Sequence, residues 1–99
     1  MPLSAEAPIL LTMGEPSGVG PEVALAAFAH FGGRVGDRPL KLVGDARLFS
    51  ACGDALIPTT APVAAVPGRP DSANAAAVIQ AIELAVAACR DGAAGAMVT

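Results

Sequence analysis

Between Gly14 and Glu22 the chain reads Gly-Glu-Pro-Ser-Gly-Val-Gly-Pro-Glu. This stretch gathers the groups best able to hold a polar ligand. Gly14, Gly18 and Gly20 permit positive φ and close backbone approach by a ligand. A glycine-rich turn that opens a helix points several free N–H groups at one spot, which suits an anion such as a phosphate. Glu15 lies inside the turn. It reads either as a carboxylate lining a ligand cleft, holding a ribose hydroxyl or a lysine, or as a surface carboxylate that accepts from turn N–H groups. Ser17 reads as a phosphate donor or as a hydroxyl bonded to the turn backbone. Glu22 complements the positive end of a helix dipole. The stretch is no P-loop, because no Lys-Ser or Lys-Thr follows the glycines. It also lacks the third glycine of the dinucleotide fingerprint.

Other reactive side chains are scattered. His30 is the one histidine of the chain. It lies beside Phe31 with no acidic or histidine partner one helical turn away, so it reads as a helix-end cap or a packed ring rather than a metal ligand. Asp71 and Asn74 read as helix caps, with a ligand-facing role as the alternative. Thr99 closes a short apolar run at a position where α/β sites form. Cys52 and Cys89 are too far apart in sequence for a metal knuckle or a redox pair, and read as buried structural thiols in a reducing compartment.

The elements that must position these groups follow from the pattern. Pro8 to Met13 is an apolar run, expected as a strand buried on both faces of a parallel sheet. A helix is expected from Gly20 to His30, with Pro21 at the first position. Its apolar spacing falls at Val23, Ala26, Ala27 and His30, and Phe31-Gly32-Gly33 ends it. Arg34 to Pro39 reads as a polar loop and Leu40 to Gly44 as a second strand. Asp45 caps a short helix that stops at Gly53. Asp54 to Pro70 carries Pro58, Pro62, Pro67 and Pro70, and reads as irregular, with one extended piece at Val63–Val66 serving as an edge strand or an arm. A long helix over Ser72–Arg90 carries a stripe of Ala75, Val78, Ile79, Ile82, Ala85, Val86 and Cys89. Gly95 to Thr99 begins another buried strand. Met1 to Ala7 reads as a frayed lead-in. The alternation of strand and helix argues an α/β fold, a parallel sheet with helices on both faces.

Totals narrow the function. The chain has 99 residues, 54% of them hydrophobic and only 3% aromatic, with no Trp or Tyr. The core must therefore be built from small aliphatic side chains, leaving an apolar face that further chain would cover. Net charge is −3, and the six Lys and Arg are scattered, which argues against nucleic-acid and anionic-membrane binding. No apolar run of spanning length and no export signal are read, so the expected location is the cytoplasm.

Taken as a string, Thr12-Met13-Gly14-Glu15-Pro16-Ser17-Gly18-Val19-Gly20-Pro21-Glu22 resembles the amino-terminal signature of the 4-hydroxythreonine-4-phosphate dehydrogenase family. Gly68-Arg69-Pro70-Asp71-Ser72-Ala73-Asn74-Ala75-Ala76-Ala77, running on to Ala81-Ile82-Glu83-Leu84-Ala85, is similar to a second family segment. It departs from it where a glycine is usual, at Ala75 or Ala76. Gly95-Ala96-Met97-Val98-Thr99 resembles a third, which in the family continues into Pro-x-x-Lys. The resemblance covers nearly all of this chain and about the first third of a family member.

The resemblance implies a two-domain fold like that of isocitrate and isopropylmalate dehydrogenases, working as a homodimer. It implies NAD-dependent oxidation of 4-phosphohydroxythreonine followed by decarboxylation, in pyridoxal phosphate biosynthesis. A divalent metal (Zn, Mg or Co) would be held by histidines of both subunits, and the substrate phosphate by lysine, asparagine and arginine, all outside this segment, so no catalytic or metal residue carries over. The implied cofactor-binding residues are Gly14, Glu15, Ser17, Gly18 and Gly20. The 99 residues alone are expected to be inactive. The alternatives are a related dehydrogenase of another small hydroxy acid phosphate or a dihydrodiol, or a non-catalytic phosphate-binding or structural fragment.

Overall fold

The computed structural model describes residues 6–66 and 68–99. Met1 to Ala5 of the expected lead-in, and Pro67, lie outside them. Five strands form one sheet in the order β2-β3-β1-β5, with β4 paired to β3. These are β1 (Ile9–Thr12), β2 (Arg34–Val35), β3 (Arg38–Gly44), β4 (Leu56–Pro58) and β5 (Ala96–Val98). β1 runs parallel to β3 and β5, and β3 parallel to β4. The sheet is mixed rather than wholly parallel, because β2 pairs antiparallel with β3 through Arg34–Pro39 and Val35–Arg38. The expected polar loop is therefore a tight hairpin. Gly36 at φ 59° makes its turn, a left-handed geometry that glycine adopts without penalty.

α1 (Gly20–His30) has the expected bounds. It ends through Phe31, Gly32 and Gly33, whose N–H groups return to Ala27, Ala29 and Phe28 carbonyls. Its inward face differs from expectation. Pro21 and Ala24 are buried, Leu25 and Phe28 pack on the core, and Val23, Ala26 and His30 are exposed. In an alanine-rich helix the pattern has little contrast, and the larger Leu25 and Phe28 win the interior because they remove more apolar area from water.

The long helix is a 3₁₀ turn, Ser72–Asn74, followed by α2 (Ala75–Arg90). Asp71 caps the turn, accepting from the Ala73 N–H at 2.8 Å. The buried stripe is Ala77, Ala81 and Ala85, while Ile79 and Val86 face outward. Alanines at i, i+4 and i+8 let the helix axis approach the sheet closely. The bulkier residues are then left on the flanks. Contrary to expectation, Ser72–Arg90 is long and apolar enough, by length and composition only, to cross a membrane, with mean hydropathy 1.5 over the window. The alanines supply that hydropathy, and here they seat the helix on the sheet.

Two clusters lie on opposite faces. Leu10, Val43, Ile57 and Met97 pack with Ala81, Ala85 and Ala94 beneath α2. Leu42, Met13 and Phe49 pack with Ala24 and partly buried Leu25 and Phe28 beneath α1. A Cβ at Gly44 would come within 2.5 Å of the Phe49 ring and 2.9 Å of Met13 Cβ, so only glycine fits there. β1 and β5 are more open than expected. Ile9 and Leu11 are half-buried, and β5 is an edge strand whose Ala96 and Val98 are exposed.

Candidate functional site

The parallel strands β1, β3, β4 and β5 all deliver their carboxyl ends to one edge of the sheet. That edge is where open α/β sheets bind ligands. The Gly14–Glu22 turn leaves β1 there. Gly14 takes φ 66°, the left-handed geometry its lack of a Cβ permits. Gly20 serves packing. A Cβ on it would run into the Met13 carbonyl, so the start of α1 sits directly against the end of β1. Gly18 is exposed, and a Cβ there would meet the Glu15 carbonyl at an ordinary 3.4 Å. α1 starts from Val19 with no side-chain cap, and Pro21 occupies the first turn. The N–H groups of an uncapped helix start need partners from outside the helix.

Glu15 and Ser17 are turned into the protein. Glu15 Oε1 accepts from the Ser17 N–H at 3.0 Å and from Asn74 Nδ2 at 3.0 Å. Ser17 is buried; its hydroxyl donates to the Ala64 carbonyl at 3.3 Å and accepts from the Val66 N–H at 3.2 Å. Gly68 N–H reaches the Ser17 carbonyl at 2.9 Å. Asn74 is fully buried. Its Oδ1 accepts from the Ala64 N–H at 2.8 Å, and its Nδ2 donates to the Ala64 carbonyl at 3.0 Å.

The segment from Thr59 to Val66 is thus a strap held by side chains instead of a strand ladder. Gln80 Oε1 accepts from the Thr60 and Ala61 N–H groups, each at 2.9 Å. Arg47 donates to the Val63 carbonyl at 2.7 Å while pairing with Asp45 at 3.3 Å. Asn74 was read as a cap, with a ligand-facing role as the alternative, and it makes no side-chain cap bond. Its long-range bonds had no sequence signal, because its partners, the Ala64 backbone and the Glu15 carboxylate, lie 10 and 59 residues away.

Beside the turn, an apolar groove of about 330 Å³ opens between α1 and the edge of the sheet. Leu11, Gly14, Val19, Gly20, Val23 and Val98 line it, together with Thr99. Val19 is 71% exposed and Val23 60%, so the expected apolar face is present here. The Thr12 and Thr59 hydroxyls are buried without a hydrogen-bond partner among the described residues. Thr12 shares its sheet face with Leu10, on the α2 side, by strand alternation.

The remaining candidates are not gathered at this edge. Glu22 is exposed on the first turn of α1. The His30 ring meets Phe31 edge-on, with centroids 4.8 Å apart. Cys52 and Cys89 are free and half-buried rather than fully buried, and burial pushes the Cys52 thiol up. Among the described residues no three His, Cys, Asp or Glu side chains converge to hold a metal.

Comparison with known proteins fixes the kinship. The chain is 39% identical to the 4-hydroxythreonine-4-phosphate dehydrogenase of Methylorubrum populi, over 97% of this chain and 35% of that protein. The enzyme of the same name from Roseobacter denitrificans is 39% identical over 96% of the chain and 34% of its own length. The Paracoccus denitrificans one is 41% identical over 93% and 32%. The chain is homologous to a portion of the 4-hydroxythreonine-4-phosphate dehydrogenases. It spans about a third of the length of the curated relatives it matches. The Methylorubrum populi alignment runs over 122 positions against the chain's 99 residues, so that relative carries stretches here without a counterpart. No protein-family model matches the chain.

Proposed function

We propose that this chain is the amino-terminal portion of a NAD-dependent, metal-assisted dehydrogenase that oxidises and decarboxylates 4-phosphohydroxythreonine. The observation that carries this reading is the start of α1. It is uncapped by any side chain, lies at the carboxyl edge of a largely parallel sheet, and belongs to a chain homologous to dehydrogenases of that name. Such a helix start favours an anionic group by its dipole and its unpaired N–H groups. The anion in question is a cofactor phosphate. Val19 and Gly20 backbone would meet it, with Gly14 shaping the bend and the Gly18 N–H held by the Glu15 carbonyl at 2.9 Å. Glu15 and Ser17 serve the turn through the bonds described above. NAD and the divalent metal supply the redox and Lewis-acid chemistry when bound, and the metal ligands belong to other parts of the protein.

The finer features follow the same reading. The sheet is part of a two-domain dehydrogenase fold, the protein is a cytoplasmic homodimer, and further chain covers the Val19–Val23–Val98 groove. A second reading is a phosphate-binding module without catalysis, which the uncapped start of α1 would serve equally well.

The test is an assay of the product of a longer coding sequence that carries this segment, with NAD, a divalent metal and 4-hydroxythreonine-4-phosphate. Turnover supports the enzyme. Inorganic phosphate binding at the turn without turnover supports the module, and neither binding nor turnover defeats both. In an active protein, Gly18→Val is expected to raise the Michaelis constant for NAD. An unchanged constant removes the turn from the cofactor site.

A further inference from the structure

We propose that Asn74 is a positioning residue for the glycine turn, acting through the Glu15 carboxylate. To anchor the strap, Asn74 needs only its two bonds to Ala64, an amide meeting both the N–H and the carbonyl of one residue as a neighbouring strand would. Its third bond does something different. The second hydrogen of Nδ2 goes to Glu15 Oε1, 59 residues away in sequence. A hydrogen bond to a carboxylate is stronger and more orienting than one between neutral groups.

The same oxygen takes the Ser17 N–H, which sets the bend of the turn. Ser17 then returns to the strap through the carbonyl of Ala64. Asn74, Glu15, Ser17 and Ala64 so form a closed circuit joining the start of α2, the turn and the strap. All four side-chain-mediated links are at hydrogen-bond distance, and Asn74 and Ser17 are sealed from water. Such circuits hold their members in one arrangement, because opening one bond strands a buried partner.

Asn74 thereby sets how the Gly18–Gly20 rim and the start of α1 are presented without touching what binds there. That consequence rests on the function proposed above, whereas the circuit itself is tested without any ligand. The experiment is amide hydrogen exchange, followed residue by residue by NMR on the purified chain, with Asn74→Ala, Glu15→Ala, the double variant and Gln80→Ala. Asn74→Ala is expected to speed exchange of both the Ala64 and the Ser17 amides by about tenfold or more, the scale of one lost buried bond.

Glu15→Ala is expected to speed Ser17 and, through Asn74, Ala64. The double variant should leave Ser17 no faster than Glu15→Ala alone does. Gln80→Ala, which holds the other end of the strap, should speed Thr60 and Ala61 while leaving Ser17 unchanged. Faster Ala64 exchange in Asn74→Ala with Ser17 unchanged would reduce Asn74 to a strap anchor and overturn the proposal. If Asn74→Ala does not fold, Glu15→Ala decides: an unchanged Ala64 amide there overturns it as well.

Discussion

The two faces of the sheet are finished to different degrees. Under α2, Ala81 and Ala85 seat the helix against Leu10 and Val43, which are fully buried, while Ala77 at its start packs with Met13, Leu42 and Phe49. Under α1 the helix leans toward β3 on Leu25 and Phe28, and leaves Val19, Val23 and the neighbouring Val98 open to water. Both helices are alanine-rich and both follow a strand-to-helix connection, so composition does not cause the difference. The cause is which neighbour each helix meets. α2 spans β3, β1 and β5 together. α1 is pinned at its start by Gly20 against Met13 and cannot also cover the outer strands. One face is a closed core, and the other is a frame with a groove in it.

This contrast predicts how substitutions divide. Gly20→Ala should be the most damaging, costing about 3 kcal/mol in urea unfolding, because the new Cβ meets backbone that has no room to yield. A loss under about 1 kcal/mol would mean that the start of α1 is not pinned. Ala81→Leu, on the closed face, should cost about 2 kcal/mol by overpacking, whereas Val23→Leu on the open face should stay within about 0.5 kcal/mol. Equal effects would erase the distinction between the faces. Thr12→Val should raise stability by about 1 kcal/mol, because it removes a buried hydroxyl with no partner while keeping its shape. Destabilisation would show that the hydroxyl is bonded in solution. Gly18→Ala should be the smallest, within about 0.5 kcal/mol, since Gly18 is exposed and its added Cβ would find ordinary contact.

Much of the frame was readable in the sequence because it depends on local rules. Pro21 at the start of α1, the Gly32-Gly33 exit, Asp71 as a cap and Asp91-Gly92 after α2 each act within a few residues. The resemblance carried by Thr12 to Glu22 is likewise local, and the relatives bear it out. What failed to show was set by distant partners. β2 and β4 are two and three residues long, too short for a periodic signal. Ala77 and Ala81 look no more apolar than the alanines beside them, so the expected stripe, right at Ala85, missed these two and took in the exposed Ile79 and Val86. Of the site, the turn was legible. That Glu15 and Ser17 face inward was not, because their partners Asn74, Ala64 and Val66 lie 47 to 59 residues away.

The central claim is that the turn offers backbone, at the start of α1, to an anionic ligand while its side chains hold the fold. The direct measurement is a titration of the isotopically labelled chain with NAD, followed by amide chemical shifts. Saturable shifts at Gly18, Val19 and Gly20, with Ile82 to Arg90 of α2 unmoved, are the predicted result. Shifts confined to residues away from the turn, or none at millimolar NAD, would contradict it.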